Sequence, residues 1–171
     1  MGTRQESIFH ETEAPQASRE LQELRGAADY IAPFEVVRRR VIDDNYEGRM
    51  TIDATVVIHI GNTEETGAAR GVGVVHALDL ALRKALLKHF PYLEQVRVTE
   101  TYSHAAGEST EAEVVSIKKF SDGNLSWTTL ATSTNSVEAG WRSLLDGYEW
   151  RIANENLKRK RESANPRWSQ R

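Results

Sequence analysis

Hydrophobic and polar positions alternate most strictly between residues 51 and 60, where Ile52, Ala54, Val56, Ile58 and Ile60 interleave with Thr51, Asp53, Thr55, Val57 and His59. A period of two belongs to a strand with one face in the core and the other largely polar. It predicts an antiparallel sheet covered on one side. A strand is expected before it over 34–43, with a turn at Asn45-Tyr46-Glu47-Gly48. After Gly61-Asn62 a short segment, 64–70, leads through Gly71-Val72-Gly73 into a new period. Val74, Val75, Leu78, Ala81, Leu82, Ala85, Leu86 and Phe90 then gather on one side of a helix that Pro91 ends. Leu80 and Leu87 fall off this stripe, and a subunit interface is one way to cover them.

The same order then recurs. Strands are expected over 96–104, 112–120 and 125–133, with turns at Ala106-Gly107 and Asp122-Gly123-Asn124. A helix follows from about 136 to 158, with Val137, Trp141, Leu144, Leu145, Tyr148 and Ile152 as its apolar stripe. Laying Ala77 on Ala139 (139 − 77 = 62) also pairs Ala81 with Ser143 and Leu82 with Leu144. The expected class is therefore α+β, with two pseudo-symmetric βββα units whose antiparallel sheets carry helices on one face. Ala17, Leu21, Leu24 and Ala28 fit a short amphipathic helix over 17–29. Residues 1–30 are assigned to a flexible N-terminal segment or linker, 31–157 to the folded domain, and 158–171 to a basic, disordered tail.

Composition narrows the classes of function. At 171 residues, 39% hydrophobic and 27% charged, the chain suits one soluble domain. A (β/α)₈ barrel needs roughly 200 residues or more, so chemistry that depends on that scaffold does not fit in this length. Cysteine is absent, which removes thiolate nucleophiles, sulfur-ligated metals and disulfides. The first 15 residues carry Arg4, Glu6, Glu11 and Glu13 and no apolar run, and no window approaches the apolar length of a membrane span. The expectation is a cytoplasmic protein without a membrane partner. Residues 158–171 hold six of the 22 basic and one of the 25 acidic side chains, which leaves the body at net −8. An acidic body argues against a nucleic-acid partner.

Candidate chemistry is sparse. The five histidines (His10, His59, His76, His89, His104) show no metal-ligand spacing, and neither metal nor cofactor is expected. Gly71-x-Gly73 before a helix is half of a phosphate loop, without the third glycine or the Gly-Lys-Ser/Thr of a nucleotide site. What survives is a helix start whose free N–H groups can hold a carboxylate. The second helix opens on Thr132-Ser133-Thr134-Asn135-Ser136 with Glu138 following, a run of natural capping residues. An enzyme reading would use His104 with Glu100 or Glu108 as an acid–base pair, but no nucleophile–base–orienter set accompanies them. No catalytic residue is assigned.

Two stretches carry a family resemblance. Gly71-Val72-Gly73-Val74-Val75-His76-Ala77-Leu78, with Ala81-Leu82-Arg83-Lys84-Ala85-Leu86 after it, resembles the helix motif of the C-terminal regulatory (LeuA-type dimerisation) domain of alpha-isopropylmalate synthase and citramalate synthase. Trp127 to Ser133 followed by Val137 to Asp146 resembles that family's second motif, and Trp141 and Tyr148 lean toward the citramalate-synthase branch. Val74, Ala131 and Gly140 depart from the family's proline, glycine and serine. The resemblance spans about residues 34–153 and implies two βββα units that pair as a homodimer. It also implies feedback binding of leucine or isoleucine, on behalf of a synthase barrel that could be encoded separately. By position in the motifs the effector pocket would fall on Val75, His76, Val98, Thr101, Ala105, Thr110, Ala112, Asn135 and Val137, with Leu80 and Leu87 as dimer contacts. Small and apolar residues would shape such a pocket for an aliphatic side chain, while helix starts and hydroxyls receive the charged head. The implied role is that of a regulatory domain alone, whether a free-standing product or an excised piece. The alternatives are a dimerisation adaptor with a dead pocket and a small enzyme in its own right.

Overall fold

The computed structural model describes residues 14–107 and 112–165. Two meandering antiparallel sheets follow one another: β1 (Glu35–Tyr46), β2 (Arg49–Ile60) and β3 (Thr63–Gly71), then β4 (Arg97–Ala106), β5 (Glu113–Ser121) and β6 (Ser126–Ser133). Helix α1 (Gln16–Gly26) precedes the first sheet, α2 (Val74–Leu86) follows it, and α3 (Ser136–Ala164) follows the second. The α+β class and the two βββα units are thus observed.

The alternation read in the sequence sets the core. Ile52, Ala54, Val56 and Ile58 are buried against the stripe Ala77, Leu78, Ala81, Leu82, Ala85 and Leu86 of α2. The 64–70 segment is a full strand, and its small residues let the helix sit on it. A Cβ on Gly67 would lie 1.9 Å from the Ala81 carbonyl oxygen, and one on Gly71 would lie 2.4 Å from the Ala77 nitrogen. Gly71 therefore serves helix–strand approach rather than an anion loop. Helix α2 ends at Leu86, four residues before Phe90. Pro91 disfavours the helical region for Phe90, which adopts φ −125° and ψ 67° ahead of a 3₁₀ turn over Pro91–Gln95.

In the second unit Phe120 stacks on Trp127 with centroids 5.5 Å apart and meets Tyr148 edge-on at 5.9 Å. A Cβ on Gly147 would lie 2.1 Å from the Phe120 ring, so α3 rests on that ring only because residue 147 has no side chain. Trp127 Nε1 donates to the Gly147 carbonyl at 3.0 Å.

The repeat is metrical as well as topological. The 62-residue shift carries the start of α2 to that of α3, the start of β1 to that of β4, and the end of β3 to that of β6. It also carries the register irregularity at Val36/Arg38 onto the one at Val98/Glu100.

Helix α1 is part of the packed body. Ala17 and Leu21 are buried, Ser18 Oγ accepts the Leu130 amide of β6 at 2.9 Å, and Trp150 Nε1 donates to Glu20 at 2.8 Å. Arg25 donates to Asp146 at 2.7 Å and to both oxygens of the buried Glu149, which also accepts from the Tyr30 hydroxyl. At the other end α3 continues through the basic run to Ala164, exposed beyond Lys158.

Candidate functional site

A cavity of about 380–410 Å³ is not unusual for this molecule, but the one of about 410 Å³ between α2 and the second sheet differs from the others in its chemistry. Val75, His76, Asp79, Leu80 and Arg83 recur at helical spacing along α2, so they share the face turned to that sheet. Opposite them stand Arg97, Val98 and Thr101 on β4 and Lys118 on β5, with Leu144 of α3 closing one side. Arg83 and Arg97 both donate to the Glu94 carbonyl, and Arg83 Nε is buried without a hydrogen-bond partner. The Val72 amide donates to His76 Nδ1 at 3.2 Å, which ties the ring to the helix start.

Two opposite charges are held here out of water. Lys118 is only 4% exposed, because it occupies the inward parity of β5 between Ser116 and Phe120. Burial lowers its pKa, opposed by the charge of Asp79. Asp79 accepts the Tyr148 hydroxyl at 2.6 Å, and burial raises its carboxyl above the usual aspartate range against that bond and the neighbouring cations. The Tyr148 hydroxyl is itself raised well above an ordinary tyrosine, first by burial and then by the Asp79 charge. No ion pair joins Lys118 to Asp79 among the described residues, although isolated buried charges are costly.

The pseudo-symmetric position, between the first sheet and α3, carries a clamp of the chain's own side chains beside a cavity of about 510 Å³ that Val36, Arg142 and Leu145, the counterparts of Val98, Leu80 and Arg83, help to line. The 62-residue shift puts Arg39 where Thr101 stands, Trp141 for Asp79, Glu138 for His76 and Val56 for Lys118. Arg39 pairs across the ladder with Val56, as Thr101 does with Lys118. The Arg39 guanidinium lies 5.5 Å from the Trp141 ring centroid and donates to Glu138, which accepts from Arg142 as well. A cation occurs in both places. Only the first has an anion in hydrogen-bond contact with that cation.

The expected effector residues are partly brought together. Val75, His76, Val98 and Thr101 line the cavity. Ala105 lies further along β4 opposite Val114, Ala112 follows the loop beside Gly107, and Thr110 falls outside the described residues. Asn135 caps α3 by accepting the Glu138 amide at 3.1 Å, and Val137 is half-buried in the first turn of that helix. Leu80 lines the cavity, whereas Leu87 packs against the chain's own core. Asp79, Lys118 and Leu144 were not expected there. The available signal was a lysine at core parity in a strand.

The acid–base pair is not assembled. Glu100 and His104 sit four residues apart on β4, roughly 13 Å along a strand, and Glu100 is engaged by Lys119 and Tyr102 at 3.0 Å each. Glu108 lies outside the described residues. His59 is a cross-strand neighbour of Glu64, as its parity suggests. No group of side chains among the described residues is arranged to hold a metal ion, and none of their helices is long and apolar enough to cross a membrane.

Residues 17–151 match the family model of the LeuA allosteric (dimerisation) domain. The chain is 33% identical over 151 residues to an (R)-citramalate synthase of Geobacter sulfurreducens, covering 86% of this chain and 29% of that protein. It is 32% identical over 144 residues to one of Aquifex aeolicus, covering 82% and 27%. For one of Sulfolobus acidocaldarius the identity is 40% over 91 residues, covering 52% and 17%. The chain thus spans less than a third of the length of these curated relatives.

Proposed function

Because the chain belongs to the LeuA allosteric (dimerisation) domain family, we propose that it binds a free branched-chain amino acid, isoleucine or leucine, as an effector. It pairs with a second copy of itself, with Leu80 at or near the contact, and acts in the cytoplasm. Through that dimer it regulates an acyltransferase of the citramalate or 2-isopropylmalate synthase type in branched-chain amino acid biosynthesis. It contributes no catalytic residue of its own.

The observation that carries this reading is the cavity beside α2. It gathers four residues that motif position alone assigns to an effector, on a chain whose relatives are citramalate synthases. Val75, Leu80, Val98 and Leu144 offer an aliphatic side chain its surface, and the charged residues offer the head group its partners. Regulation follows by population shift, since a ligand that prefers one arrangement of the dimer stabilises that arrangement by its difference in affinity.

A thermal-shift panel of leucine, isoleucine and valine against unrelated amino acids tests it. Ligand at about 100 times its dissociation constant adds roughly 2.7 kcal/mol and moves the midpoint by several degrees. A selective shift with leucine or isoleucine is expected, and a flat panel overturns the reading.

A further inference from the structure

The two pseudo-equivalent grooves of one chain differ in how each meets its cation. In the first, the cation Arg39 is stacked on Trp141 and bonded to Glu138. In the second, Lys118 lines an open cavity, is almost wholly buried, and has no hydrogen-bond or ion-pair partner among the described residues. Each groove also holds one buried guanidinium nitrogen without a hydrogen-bond partner, Arg39 Nη1 in the first and Arg83 Nε in the second. The first groove shows what the second lacks, which is a carboxylate in hydrogen-bond contact with its cation. Asp79 does not supply it, because its carboxylate is turned to the Tyr148 hydroxyl and forms no ion pair with Lys118.

We propose that Lys118 is the carboxylate anchor of the ligand in this cavity, and that Asp79 faces the ligand's ammonium; the proposal rests on the amino-acid reading above. A zwitterion then supplies each buried charge with its opposite, and two groups that are costly to bury alone become the recognition pair. Thr101, across the ladder from Lys118, is too short to fill the groove as Arg39 does at the equivalent place, and the space it leaves holds the aliphatic part. Each chain has one such site.

Titration calorimetry of the full chain with three kinds of probe tests this: L-leucine and L-isoleucine, their carboxamides, and the matching 2-oxo acids. The amino acids are expected to bind. The amides, which keep the ammonium and lose the carboxylate charge, are expected not to. Lys118→Met, similar in volume and free of the buried charge, should weaken the amino acids about 10- to 100-fold, the range for losing one hydrogen bond to a charged group. Amino acids that bind Lys118→Met as they bind the unaltered chain, or amides that bind like the acids, overturn the anchor and leave the amino-acid reading in place. The amide comparison uses the unaltered chain and does not depend on how the variant folds. Binding by the 2-oxo acids alone, lost in Lys118→Met, keeps the anchor and removes both the amino-acid reading and the role of Asp79. No binding by any probe overturns both.

Discussion

Asp79 carries a pH dependence whose sign follows from its surroundings. Burial makes its ionised form expensive, and the Tyr148 hydroxyl offsets only part of that, so the folded chain keeps the proton to higher pH than the unfolded chain does. The native state therefore binds more protons in the window just above the ordinary aspartate range, and stability falls as pH rises through it. Asp79→Asn keeps an acceptor for Tyr148 and removes the titration. Urea midpoints between about pH 4 and 7 should diverge, the variant gaining relative to the parent as pH rises. Parallel curves would show that the Asp79 carboxyl titrates alike in both states. At this scale the sequence was readable where one residue type has one reason to be where it is. The capping residue Asn135 was of that kind. Lys118 was not, because a lysine in a strand is ordinarily solvated and only the packing of α3 on β5, with α2 across the cavity, buries it.

Periodicity served the elements well where their faces differ strongly. Strand β2 and helix α2 alternate between wet and dry at their own periods, and both were evident. The third strand was harder to see, because Thr63 to Gly71 is mostly small or polar. Its reason for that composition is three-dimensional, since Gly67 and Gly71 bring its backbone against α2. Helix α1 was legible as a helix but not as a packed one, for its partners Leu130, Asp146, Glu149 and Trp150 lie more than a hundred residues away. Its docking makes a direct prediction. Leu21→Ala should lower unfolding stability by about 2–5 kcal/mol, the range for a fully buried leucine. A loss below roughly 1 kcal/mol, the scale of a surface change, would mean that α1 is not held in the core.

For the whole molecule, the repeat was visible as an order of elements before any residue identity supported it. The structure gives that order a metric, the constant shift that carries the start of the first strand, the start of the helix and the register irregularity of one unit onto those of the other. The cavity was foreshadowed only by the family resemblance, which put Val75, His76, Val98 and Thr101 in one pocket, because it lies between two units and depends on how α2 of one meets the sheet of the other. On the proposed pairing, light scattering should give twice the mass of a single chain, and Leu80→Glu, which puts a charge where that pairing places the contact, should drive the population toward the monomer. A variant that keeps the full dimer mass would move the interface away from α2.

The clamp of Arg39 on Trp141 and Glu138 also has a mechanical meaning. It ties β1 of the first unit to α3 of the second, while the corresponding place carries Thr101 and Asp79, which make no such bond among the described residues. The duplicated body is thus stitched together at one of its two matching seams and left unstitched at the other.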